Sequence, residues 1–351
     1  MNHRTLAPLL LLTLAACSRP QEPRPRDTDT TPPETGTPPI TTETGHTGTT
    51  DTASTGVTGD TGPTTVEIDC ATDVPAAPLS TQPIIGGRAY HDVIFDTTGL
   101  VLGSNGNGIT WADYYGNSGL LVPGTGLVQG LGRLLDGDFV AASDSTDSLF
   151  RFTAAGGVAN IIGNSGAYSV LVGHDGMIYT ANYDAVERID PVTGVRTELL
   201  APNNFQPKSI NWNRDYTKLF MATGFGNGNV YAIDIDPVTL DPVGQGYVFA
   251  TNVGAGTYHD CLTVDYCDNV YVCDFSSQKM YRITPAGVVS TYIDFPNGMY
   301  AHGVEWGSGV DAEATDAMYI SQPYNGNAIA EVVVGIPGRD WDGTNWTPPG
   351  P

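Results

Sequence analysis

The chain has 351 residues and a formal net charge of −23, from 15 Lys and Arg against 38 Asp and Glu. With only three lysines in all, a surface that holds nucleic acid or anionic lipid by charge is excluded. The acidity fits an extracytoplasmic surface or cation binding equally well, so it selects no partner.

In chain order, Arg4 precedes an apolar run from Leu6 to Ala16 that is interrupted by Pro8 and Thr13. The run is too short to span a bilayer as a helix and reads as an export signal, residues 1–16. It ends in Leu14-Ala15-Ala16-Cys17, a pattern that resembles the bacterial lipobox, whose cysteine is acylated and becomes the first mature residue. The expectation is a lipoprotein held to a membrane through Cys17. Ser18 points to sorting to the outer membrane, with the folded domain facing the periplasm or the cell surface. Residues 17–66 follow, dominated by Thr, Pro, Gly, Ser and acidic side chains. Such a segment buries too little apolar surface to offset ordering, so a disordered stalk is expected, about 40 Å in root-mean-square span.

About −20 of the net charge falls on residues 67–351, a region long enough for a large core. It carries Cys70, Cys261, Cys267 and Cys273. In an oxidising compartment these suggest two disulfides, for which there are three connectivities. A hairpin turning near Cys267 would set Cys261 opposite Cys273 and leave Cys70 for the turn, the pairing we favour. A metal–thiolate cluster finds no support, because no CxxC spacing is present.

A repeat near forty residues organises the rest. Segments 90–102, 126–141, 167–179, 207–222, 258–272 and 301–306 with 317–320 each read as a β-branched or aromatic strand, a tight Asp/Gly/Asn turn and a second strand. Third strands follow at 148–152, 186–190, 230–234 and 280–283, and outer strands at 195–200 and 288–293. Four strands per repeat and six repeats predict an all-β fold, a six-bladed β-propeller over residues 67–336, with 337–351 as a C-terminal tail. The last repeat lacks a fourth strand, while residues 79–91 resemble 289–302. The N-terminal strand is therefore expected to complete the last blade and close the ring.

Blades of the form strand, Asp-x-x-Gly/Asp, strand resemble the NHL-repeat and gluconolactonase (senescence marker protein) propellers. The resemblance covers nearly all of residues 79–336. It implies the fold and leaves the function open, because such families include hydrolases, lyases and pure binding modules. It also implies that the start of each innermost strand points into the central channel.

Counting back five residues from the end of each first strand selects a polar ring of His91, Gln129, Tyr168, Lys208, Asp260 and His302. Tyr90, Asp92 and His259 lie beside it. His91, Asp260 and His302 come from three consecutive blades around the closed ring. Imidazole and carboxylate on one axis are the composition of a divalent-metal site, zinc first and calcium second. Tyr90, Asp92, Gln129, Tyr168, Lys208 and His259 are the candidate ligand-binding side chains of the channel face. The bland alternative is a wet channel whose polar residues only bind water.

In gluconolactonases the resemblance implies a divalent ion held by Glu, Asn and Asp. The matching positions here carry His91, Lys208 and Asp260, so only the aspartate is kept and the same calcium site is disfavoured. Amidating lyases, which are NHL-type propellers with a histidine-bound zinc, imply that the architecture tolerates a His/Asp site. Gly103-Ser-Asn-Gly-Asn-Gly and Asp340-Trp-Asp-Gly-Thr-Asn match neither a phosphate cradle nor an EF-hand.

The expected function is a monomeric, membrane-anchored propeller that binds a small molecule, glycan or protein at its channel face. The alternative is a metal-dependent, lactonase-like hydrolase or lyase.

Overall fold

A computed structural model describes residues 67–84, 91–143, 145–163, 166–182, 184–200, 206–224, 228–254, 258–296, 300–310, 313–322, 324 and 328–340. All lie in one compact unit, Thr61–Pro351. The signal, the stalk, Cys17 and the tail beyond 340 fall outside the described residues.

Among those residues there is no helix, and 24 strands form six antiparallel four-stranded sheets. Strand β1 (Ser80–Ile84) belongs to the last sheet. Blade one is β2 (Ile94–Phe95), β3 (Val101–Ser104), β4 (Gly108–Ala112) and β5 (Ser118–Pro123). Blade two is β6 (Val128–Arg133), β7 (Phe139–Ser143), β8 (Ser148–Phe152) and β9 (Val158–Gly163). Blade three is β10 (Ser169–Val172), β11 (Ile178–Ala181), β12 (Val186–Ile189) and β13 (Arg196–Leu200). Blade four is β14 (Pro207–Trp212), β15 (Lys218–Thr223), β16 (Val230–Ile235) and β17 (Pro242–Ala250). Blade five is β18 (His259–Val264), β19 (Val270–Asp274), β20 (Lys279–Ile283) and β21 (Val289–Asp294). Blade six is β22 (Val304–Trp306), β23 (Ala317–Gln322) and β24 (Ala328–Val333), completed by β1.

The expected closure is present. β1 pairs with β24 from Ser80 opposite Val333 to Ile84 opposite Ile329, so the chain's two ends share one sheet. The turns follow the Asp signal. Asp96 Oδ1 accepts the N–H groups of Thr98 and Leu100, and Asp265 Oδ1 accepts those of Cys267 and Asn269, so each carboxylate satisfies amides that the reversing chain would leave unpaired.

The core is distributed between the blades. One hydrophobic cluster fills each interface, for example Phe95, Val101, Tyr319 and Ile329 between blades one and six. Tyr179, Trp212, Leu219 and Met221 do the same between blades three and four. Burying such side chains contributes about 1.5–3 kcal/mol each. Both disulfides take the favoured pairing, Cys261–Cys273 across β18 and β19 and Cys70–Cys267 from the N-terminal segment to the turn. The second closes a loop of 197 residues in sequence separation, worth about 5 kcal/mol in the chain-entropy account.

Candidate functional site at the channel mouth

Two local devices aim the ring residues at the axis. In blades two, four and five the ladder slips by one residue, between Val128 and Gly130, Pro207 and Ser209, and His259 and Cys261. The extra residues are Gln129, Lys208 and Asp260, so a β-bulge re-aims each of these side chains. In blades one, three and six the corresponding residues, His91, Tyr168 and His302, precede the first strand. Their backbone is held from neighbouring strands. Ser321 Oγ donates to His91 O at 2.6 Å and accepts from Gly303 N–H at 2.7 Å, and Ser209 Oγ donates to Asp260 O at 2.9 Å. Gly303 is required where it stands, since a Cβ there would lie 2.3 Å from His91 O and separate blade six from blade one.

His91, Asp260 and His302 are all buried, and one ligand atom from each falls within 4.8 Å of the others. His91 Nδ1 lies 3.1 Å from the carbonyl of Gln129. A carbonyl only accepts, so Nδ1 carries the proton and Nε2 is left with its lone pair. That nitrogen faces Asp260 Oδ1 at 3.6 Å, an acceptor facing an acceptor. His302 Nδ1 is 2.9 Å from Asp260 Oδ2 but poorly aligned for a hydrogen bond. As a result His302 Nδ1, His302 Nε2 and Asp260 Oδ2 are buried without a hydrogen-bond partner among the described residues. The two imidazole rings stand edge to face, 4.8 Å apart.

Lys208 lies against the same carboxylate. Its side chain is fully buried, its Nζ contacts Asp260 Oδ1, and it lies 3.9 Å from the Tyr258 ring centroid and 5.5 Å from that of Tyr168. Desolvation pushes the Lys208 amine well below its ordinary range. Burial, with Lys208 second, pushes His302 down to about 3 and His91 well below its ordinary range. Both imidazoles are therefore neutral at pH 7, with no proton competing for their lone pairs.

Asp92 and Gln129 line the same channel with Tyr168, and the space among them is small, about 50 Å³. Asp92 accepts the N–H groups of Val93 and Leu131, but burial outweighs these bonds and raises its carboxyl to about 7. The structure turns His259 away from the group. Its Nε2 lies 2.7 Å from Val253 O, because neighbouring strand residues face opposite ways and Asp260 takes the channel side. Tyr90 lies outside the described residues.

An aromatic wall over His302 was not anticipated from sequence. Phe275 stacks on Tyr300 with centroids 4.5 Å apart and meets His302 at 5.1 Å, and the exposed Tyr324 lies 5.7 Å from His302. Phe275 and Tyr324 follow the second strands of blades five and six, which return to the face where the first strands begin. Chain parity thus carried the signal, in positions outside the window of first-strand starts.

With this geometry in place, likeness to known proteins can be assessed. Residues 166–308 match the SMP-30/gluconolactonase/LRE-like region. The matched stretch runs from the start of blade three to the innermost strand of blade six, and includes Tyr168, Lys208, Asp260 and His302. No curated protein matches the chain. Among solved structures, a gluconolactonase from Xanthomonas campestris is 13% identical, with 74% of this chain and 92% of that chain covered and a TM-score of 0.61. Regucalcin from Agrobacterium tumefaciens, described as a calcium-binding protein, is 15% identical over 75% and 96% of the two chains, with a TM-score of 0.61. An auxiliary nutrient binding protein from Bacteroides thetaiotaomicron is 14% identical over 76% and 74%, with a TM-score of 0.57. At these identities the likeness establishes the fold and leaves the chemistry to the site.

Proposed function

We propose that this propeller binds one divalent transition metal through His91, Asp260 and His302 and uses it to recognise a small oxygen-rich or anionic ligand at the channel mouth. Gln129, Tyr168 and Lys208 complete the polar rim against which the ligand lies. The observation that carries the reading is the fixed tautomer of His91, which aims a neutral lone pair at a buried carboxylate and a neutral His302 that lacks hydrogen-bond partners among the described residues.

The donor set distinguishes between metals. Calcium takes six to eight oxygen ligands, whereas two imidazoles and one carboxylate suit zinc and its neighbours. The calcium binding described for regucalcin is therefore not carried over. The metal would face competition from Lys208, which now contacts Asp260 Oδ1. Binding requires Lys208 to leave that oxygen or to give up a proton, and the downward push on its amine favours the latter.

A second reading, a metal-dependent hydrolase or lyase, is favoured by the count of donors. Three protein ligands leave a coordination position open, and the adjoining 50 Å³ is large enough for a water molecule. A bound ion there would acidify water or polarise a carbonyl. We further propose that the protein lies outside the cytoplasm, lipid-anchored through Cys17 to the outer membrane. The signal-like N-terminus and the two disulfides support this location.

The test is elemental analysis of residues 67–351 purified without chelator, beside His91→Ala and His302→Ala. Near-stoichiometric zinc, lost in both variants, is expected. A wild type that stays metal-free after reconstitution would overturn the proposal. Turnover of lactones or esters by the loaded protein, abolished by chelation, would select the hydrolase.

A further inference from the structure

A second, larger cavity lies at the opposite end of the channel, where the innermost strands finish. It measures about 530 Å³, within the range of small-molecule sites, roughly 300–1,000 Å³. Its off-axis position has a structural cause. After β24 the chain crosses beneath blades four and five: Asp265 bridges Gly338, Tyr266 N–H donates to Pro337 O at 2.9 Å, and Arg339 N–H donates to Val264 O at 3.1 Å. Gly338 permits this crossing, since a Cβ there would lie 2.3 Å from Trp306 Cγ. The crossing segment leaves the ends of β2, β6, β10 and β22 uncovered, and these line the cavity.

The walls mix polar groups with apolar side chains, Phe95, Leu131, Val170, Leu171, Trp306 and Val310 among them. Most charged groups at the cavity are already engaged. Arg339 Nη2 pairs with Asp340 Oδ2 at 3.1 Å, and Arg339 Nε donates to Asn211 Oδ1 at 3.0 Å. The remaining guanidinium nitrogen, Nη1, is buried without a hydrogen-bond partner among the described residues. Asp96 Oδ1 is committed to Thr98 and Leu100. Arg133 is exposed at the rim.

Glu305 differs from all of these. It lines both the channel and the cavity, and its one hydrogen bond among the described residues is from Trp306 N–H to Oε1 at 3.1 Å. Its second oxygen has no ion-pair or hydrogen-bond partner there.

We propose that this cavity is a second ligand site, for a small organic amine whose apolar body packs against Leu131, Val170 and Trp306 and whose ammonium pairs with Glu305. Asp340 also borders the cavity, and its negative charge beside Glu305 favours a cation over a carboxylate. Burial, with Asp340 next, raises the Glu305 carboxyl to about 8, so an ammonium placed beside it would favour loss of that proton and form the ion pair.

The test is calorimetric titration of the purified full chain, with EDTA present so that the metal site does not contribute. The probe is phenethylamine, compared with phenethyl alcohol and 3-phenylpropionate at matched concentration. The amine is expected to bind at one site, to weaken at least tenfold in Glu305→Gln, and to strengthen a few-fold in the rim variant Arg133→Glu. Binding of the propionate as tight as that of the amine, an amine affinity within twofold of wild type in Glu305→Gln, or no saturable amine binding would each overturn the proposal.

Discussion

At the end of the channel where the innermost strands begin, one lysine, one aspartate and two histidines converge around about 50 Å³ of space. At the end where the same strands finish, mixed polar and apolar walls that include Glu305 surround about 530 Å³. The difference comes from the backbone. Bulges at Gln129, Lys208 and Asp260 pull three side chains inward at the first end, and a single crossing segment covers only part of the second. Titratable side chains are accommodated in two ways: by pairing at the mouth, where Lys208 meets Asp260, and by retention of the proton at the far end, where Glu305 has no ion-pair partner among the described residues.

The largest expected effect is at the pair. Lys208→Met leaves Asp260 as an uncompensated buried carboxylate, and removing one partner of a buried pair typically costs about 3–5 kcal/mol. Urea denaturation of the metal-free variant should show that loss. Zinc should restore more stability to the variant than to wild type, because the ion then supplies the missing cation. An unchanged midpoint without metal would break the paired-charge account of the mouth.

Glu305→Gln tests the far end through pH. The native carboxyl holds its proton up to about 8 against an ordinary value of 4.5, so its contribution to stability is present below about 4.5 and lost as pH rises through 8. The variant should melt a few degrees above wild type at pH 9 and together with it at pH 4.

The sign reverses for His302, whose pKa is pushed down to about 3 from 6.5. Its contribution is complete above about 6.5 and lost as pH falls toward 3. In chelated protein, His302→Gln should flatten the acid limb of the stability profile by about one proton, the smallest of these effects. A parallel acid limb would mean that His302 is not held neutral.

The blades were legible in the sequence because each repeat carries its own turn chemistry, as Asp96 and Asp265 show, and because the missing outer strand of blade six had its counterpart at residues 79–91. The ring of His91, Lys208, Asp260 and His302 was legible for a related reason: a fixed offset from the turn selects one strand end. His259 shows the limit of that reasoning, since one step along a bulged strand sends a side chain to Val253 instead of the axis. Glu305 and the wall of Phe275, Tyr300 and Tyr324 were not legible. They depend on which loops return to the mouth and on where residues 337–340 cross, contacts that no local pattern encodes.

The most direct test of the metal centre is a calorimetric titration of chelator-stripped protein with zinc and, separately, with calcium. The account predicts one zinc site per chain, weakened at least a hundredfold in His302→Ala, and no calcium site. Stoichiometric calcium binding, or zinc binding indifferent to His302, would contradict it.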